Sequence, residues 1–170
     1  MYRRMVWQGF VDALTFIITF AALIMLGYLA LTIEARAGEE TIVKGRPDVI
    51  YEINLIRRKH GLLPVMETPM LDQFSQKRAA EAWPYRYKRL ADGHKNFYTG
   101  IKTLRVRGGT WLGENLYTGP IMATGREVAI AWMNSPSHRE VVLHLEAVSC
   151  SASEAMDDRQ TVVALNCAGE

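Results

Sequence analysis

The chain of 170 residues has little charge of either sign in excess: 20 Lys and Arg against 18 Asp and Glu, a formal net charge of +2. Without a broad basic field, nucleic acid is not expected as a partner. No internal repeat and no low-complexity segment is visible, so the length reads as one domain plus a leader. No G-x-S-x-G occurs, which removes the usual mark of a serine nucleophile. Cysteine is scarce, with only Cys150 and Cys167. What the chain does have is apolar side chain, 49% of its residues, enough for a substantial core. There is one local imbalance. Between Lys77 and Arg107, nine Lys and Arg face only Glu81 and Asp92. That excess reads as a solvated face, with a patch for anionic polymers or lipid headgroups as the sharper alternative.

The N-terminus carries the one long apolar run. Arg3 and Arg4 precede an uncharged stretch from Ala13 to Ile33, about the ~20 residues a helix needs to cross a bilayer. Arginines ahead of it place the N-terminus in the cytoplasm and the rest outside. The run is longer than the ~7–15 residues of a signal-peptide core, which argues for a retained anchor. The small-x-small site Ala35–Ala37 argues for cleavage. The reading leans to the anchor and keeps both: residues 1–37 as signal peptide or signal anchor, 38–46 as a polar linker, and 47–170 as an extracytoplasmic (periplasmic or secreted) domain, held at the inner membrane if residues 13–33 stay.

The domain begins with a helix. Pro47 suits its first turn, Val49, Ile50, Ile53 and Ile56 recur at helical spacing, and Gly61 suits the position after its end. "LLPV" reads as a short extended connection. A second helix is capped by Thr68 and opened by Pro69, with Leu71, Phe74, Arg78 and Ala82 on one face, and Pro84 ends or kinks it. An extended piece is expected around Ile101 to Val106, and "GENLYTG" reads as a strand or loop edge. Thr124 and Glu127 fit the capping box of a third helix. Ser135 and Pro136 start a short fourth one. The tail reads as two strands turning at Asp158–Arg159, which sets Cys150 directly across from Cys167. Opposed β-carbons lie within ~4.5–5.5 Å, close to what a disulfide needs, and an exported protein favours the bridge over two free thiols. Helices flanking a few late strands give an α/β or α+β layered domain.

Four histidines are present. His60 and His144 close helices, where a cation suits the dipole. His94, in a loop, and His138, in a first helical turn, have no such local task. With Glu114 they form a set of two imidazoles and one carboxylate. Such a set can hold zinc with a position open for water, or move protons without metal, or simply be a hydrogen-bonded structural cluster.

The ordered series "INLIRRKHGLLPV", His94, "GENLYTG" and "AWMNSPSHREVVL" resembles a bacterial CAP domain, the superfamily of cysteine-rich secretory proteins, insect venom antigens and plant pathogenesis-related proteins. The resemblance covers about residues 48–145, and "GEN" followed by W-x-x-S-P-x-H-R is its specific part. It implies a three-layer α-β-α sandwich, exported, with a cleft around His94, Glu114 and His138 as the histidines and acid of the family cluster. Eukaryotic members carry a further acid three residues after the tryptophan. Here that position is Ser135, and the nearest acid, Glu127, is explained by capping. Gly113 is expected to let the backbone turn tightly, and Asn115 to bridge loop amides.

Three functions follow from the resemblance. The first is a binding module for a ligand, a cell-wall polymer or a partner protein. The second is a zinc-dependent hydrolase or peptidase in which His94 and His138 bind the metal and Glu114 completes the shell or acts as base. The third is a lipid or sterol carrier with an apolar groove beside "GENLYTG". Zinc is the candidate cofactor, and the membrane is the candidate partner through the N-terminal helix.

Overall fold

The computed structural model describes residues 18–26, 41–97 and 111–169. The chain divides into two compact units, Met1–Glu40 and Thr41–Glu170. In the first, residues 18–26 are helical, with Ile18, Phe20, Leu23 and Leu26 exposed. The rest of the expected span 13–33, and the cleavage site at Ala35–Ala37, lie outside the described residues. Among the described residues no helix is long and apolar enough to cross a membrane.

The second unit is a three-layer sandwich. Its sheet has four antiparallel strands in the order β1 (Ile42–Gly45), β3 (Ala147–Met156), β4 (Gln160–Gly169), β2 (Trp111–Pro120). Strand alternation divides its side chains between two faces. Cys150, Ala152, Val163, Leu165 and Cys167 pack against helices α1 (Pro47–Lys59), α3 (Gly125–Met133) and α4 (Pro136–Val142). Leu116, Ala155, Val162 and Ala164 pack against α2 (Pro69–Ala82). β4 is central and buried almost throughout, as a strand covered on both faces must be.

Local chemistry sets the helix ends as expected. Gly61, at φ 73°, takes the left-handed position after α1. Its amide donates to the Arg58 carbonyl and that of Leu62 to the Arg57 carbonyl, closing a Schellman turn. Thr68 Oγ1 accepts from the Leu71 amide. Thr124 and Glu127 form the reciprocal capping box, worth about 1 kcal/mol. Pro84 follows α2 in a single 3-10 turn, Trp83–Tyr85. Ser135 holds the N-cap position of α4, but its hydroxyl makes no capping hydrogen bond.

Three expectations change. Residues 42–45, read as part of a linker, are strand β1, pairing from Ile42 opposite Met156 to Gly45 opposite Ser153. The strand is exposed along its length, so its sequence carries no burial pattern. What fixes it is backbone pairing and Arg46. That side chain joins Asp48 (2.8 Å) and Glu154 (2.7 Å) and donates to the Ala123 carbonyl. The basic excess after Lys77 is not uniformly a solvated face either. Lys77, Lys88, Arg89 and Lys95 are exposed, but Arg78 is fully buried, and Arg86 lies over the Trp83 and Tyr87 rings at 4.0 and 4.5 Å. Lys102, Arg105 and Arg107, with the extended piece 101–106, lie outside the described residues.

The third change is at Gly113, which sits inside strand β2 and makes no turn. A β-carbon there would lie 2.5 Å from the Trp111 ring and 2.9 Å from Val141, so only glycine lets the indole fold across the strand. The cysteines pair as expected: Cys150 and Cys167 are directly opposed and bonded, with S–S 2.00 Å. A bridge spanning 17 residues contributes about 3 kcal/mol in the chain-entropy model.

Candidate functional site

The site grows from the pleat of β2. Leu112, Glu114 and Leu116 point to the α2 face, and Asn115 points to the other. Glu114 stands opposite Asn166 of β4, which stands opposite Ser151 of β3. Above Glu114 lies α2, whose Arg78 has a side chain 0% exposed. The guanidinium meets the carboxylate with both ends: Nε to Oε2 at 2.7 Å and Nη2 to Oε1 at 3.1 Å. Asn166 Nδ2 donates to Oε2 at 2.9 Å, and His94 Nδ1 lies 2.8 Å from Oε1. Arg78 further donates to Glu81 and to the Gly93 carbonyl, tying in the 3-10 turn Leu90–Asn96 that carries His94.

The electrostatics follow from these contacts. Burial alone would push the Glu114 carboxyl up. The hydrogen bonds from His94, Arg78 and Asn166, with the Arg78 charge, outweigh it and hold the group below the usual carboxylate range. Burial opposes the Arg78 charge as well, but Glu114 and Glu81 outweigh it and raise its pKa. Glu114 is therefore ionised at neutral pH and only accepts hydrogen bonds. The proton of the short contact sits on His94 Nδ1, and in the neutral ring Nε2 keeps its lone pair.

His138 takes a different place. It lies on α4, and its main-chain carbonyl accepts from Asn115 Nδ2 at 2.8 Å. Asn115 thus clamps α4 to β2 rather than bridging loop amides. The His138 imidazole is half-buried; burial first, and then the charge of His94, lower its pKa. So the structure bonds His94 to Glu114 and brings His138 within electrostatic reach of His94, but no hydrogen bond joins the His138 ring to that pair among the described residues.

A cleft of about 310 Å³ opens here. His94 and Phe97 line it from the 3-10 turn, Trp111 to Glu114 from β2, and Ser137, Glu140 and Val141 from α4. The other histidines keep structural roles: His60 Nδ1 bonds the Ile56 carbonyl, and His144 stacks on Trp111 at 3.8 Å. The residue that sequence reasoning missed is Arg78. Its signal was an arginine among Leu71, Phe74 and Ala82 on the apolar face of a helix, where a charge needs a partner.

The cluster does not fit a zinc ion held through Glu114. Both carboxylate oxygens are already taken by four donors, two of them from a guanidinium that repels a second cation. His94 turns Nδ1 to Glu114, and among the described residues no three metal-ligating side chains converge.

Solved structures share this architecture. An outer surface protein of Borrelia burgdorferi superposes with a TM-score of 0.62 at 19% identity, covering 78% of this chain and 98% of that one. A cysteine-rich secretory protein of Staphylococcus aureus gives 0.56 at 18% identity, covering 72% of this chain and 37% of its own. An extracellular SCP-domain protein of Bacillus anthracis gives 0.53 at 17%, covering 74% and 40%. The chain therefore corresponds to about two fifths of the length of those last two. No curated protein matches it in sequence. The class is a CAP-type α-β-α sandwich. The chain belongs to the cysteine-rich secretory protein family (CAP), whose family model matches residues 50–167.

Proposed function

We propose that the domain is an extracytoplasmic binding module whose ligand occupies the cleft beside His94 and Glu114. The observation that carries this reading is the saturation of Glu114: Arg78, Asn166 and His94 hold it as a fixed polar wall, ionised at neutral pH and with both oxygens already engaged. A preorganised wall of this kind serves recognition. Export is supported by the apolar leader and by the similar structures, which are named as outer-surface, secretory and extracellular proteins. The leader acts as signal or anchor, and determining the mature N-terminus decides between the two.

The test is to titrate the labelled protein with soluble cell-envelope fragments and follow its amide and indole signals. Shifts confined to residues 94–97, 111–114 and 137–141 are expected, and His94→Ala should weaken binding with the fold intact. Shifts that map elsewhere, or turnover of the fragments, would overturn the reading.

A second reading, carriage of an apolar ligand, is favoured by a groove of about 550 Å³ walled by Leu62, Leu63, Pro64, Met66, Leu145 and Val148. This groove follows the end of α1 and does not border "GENLYTG". Lipid recovered by mass spectrometry from the purified protein would favour it.

A further inference from the structure

The chemistry of the cleft lining goes further than its shape. Two carboxylates border it, Glu114 and Glu140, with the Ser137 hydroxyl and the His94 imidazole. Among the described lining residues there is no lysine and no arginine. Two arginines on the elements around it are engaged elsewhere. Arg78 is wholly buried and satisfied by Glu114, Glu81 and the Gly93 carbonyl. Arg139 sends its Nε to the Met133 carbonyl at 2.6 Å.

The acids differ in what they offer. Glu114 is neutralised locally by Arg78, so its charge is not available to a visitor. Glu140 is exposed, and no ion pair engages it among the described residues. His94 has its Nδ1 committed to Glu114, and Nε2 has no hydrogen-bond partner among the described residues. In the neutral ring that nitrogen accepts. Glu140, Ser137 and His94 Nε2 are thus all able to accept, and among the described lining residues the unpaired charge is that of Glu140. Trp111 and Phe97 also border the cleft and give it aromatic edges that favour an apolar body.

We propose that the cleft selects a ligand bearing a primary ammonium group on a small, partly apolar body, with Glu140 as the counter-ion and the unbonded edge of the His94 ring, Nε2, facing the ligand. An anionic ligand would meet Glu140 and find no lysine or arginine among the described lining residues. A neutral alcohol could use the acceptors but not the charge. The proposal rests on the reading that the cleft is the ligand site, and it adds the class of ligand. The cleft volume of about 310 Å³ admits a single ring with its substituent.

The test uses the whole chain, solubilised in nanodiscs of a zwitterionic lipid at mildly alkaline pH. Three probes share one body and differ in one group: benzylamine, benzyl alcohol and benzoate. Each is titrated at millimolar concentration while the Trp111 indole and the amides of Gly113 and Glu140 are followed by NMR. Benzylamine is expected to bind roughly fivefold tighter than benzyl alcohol, as one partly exposed ion pair allows. Benzoate is expected to be weakest. In Glu140→Gln the advantage of the amine should vanish while the alcohol is unchanged. Because Glu140 is exposed, this substitution should leave the fold intact.

Equal binding of amine and alcohol, or an amine preference that survives Glu140→Gln, overturns the ammonium assignment and leaves the binding-module reading standing. Absence of any shift at Trp111, Gly113 or Glu140 with all three probes overturns both.

Discussion

Arg57 and Arg78 are the most deeply buried arginines among the described residues, one under each helical layer, and they are held in opposite ways. Arg57 of α1 is 1% exposed and meets no carboxylate among the described residues. It donates to four main-chain carbonyls instead: Leu63 (2.9 Å), Val142 (2.9 Å), His144 (3.0 Å) and Ala147 (3.1 Å). Arg78 of α2 meets Glu114 bidentately and Glu81 besides. The first joins the end of α4, the start of β3 and the turn after α1, and it titrates nothing. The second holds a charged side chain at a cleft. The difference teaches that a buried cation organises backbone when its partners are carbonyls, and organises a site when they are ionisable.

The comparison is broken most severely at Arg78. Arg78→Met strands an ionised Glu114 in the interior, and unfolding in urea should show a loss of about 4 kcal/mol at neutral pH. The double substitution Arg78→Met with Glu114→Gln removes both charges and should recover much of that loss. Arg57→Met orphans four carbonyls and should cost about 3 kcal/mol. Here no carboxylate substitution is expected to rescue it, because the partners of Arg57 among the described residues are main-chain carbonyls. A carboxylate change that restored the Arg57 variant would erase the distinction between the two regions.

Acid sharpens it further, with smaller effects. The folded Glu114 pKa is lowered, so its contribution is complete above the unfolded value of about 4.3 and is lost as pH falls through the folded one. In Arg78→Met burial dominates and the Glu114 pKa rises, so the deficit of that variant should shrink as pH falls. The deficit of Arg57→Met should stay level over the same range. The smallest change concerns His138. Its folded pKa is also lowered, so stability declines as pH falls through about 6.5. His138→Gln should flatten that part of the profile, read as melting temperature against pH.

What was legible in the sequence was local. Thr68 with Pro69, Thr124 with Glu127, Gly61 after α1, and Cys150 opposite Cys167 each act over a few residues or one hairpin, and each stands where expected. Glu114 and His94 were legible as candidates because neither has a local task, and the structure bonds them. Three things were not legible. β1 has no burial pattern to read, since its partner strand lies over 100 residues away. Arg57 and Arg78 each continue an apolar helical face, but their partners come from other elements. The need for glycine at position 113 arises from Trp111 and Val141 closing over it, a packing fact that backbone rules do not supply.

The short strand β1 has a mechanical consequence. It is the point through which residues 1–40 join the second unit, and it lies antiparallel against β3, with the Arg46 amide continuing the ladder to the Ala152 carbonyl at 2.8 Å. A pull along this strand loads its rungs together in shear instead of peeling them one by one. The Arg46 side chain, gripping Glu154 and Asp48, acts as a cleat behind them. A pull on the chain ahead of Ile42 would therefore be borne by the β1 rim of the sheet, and the cleft lies at the opposite rim, on β2.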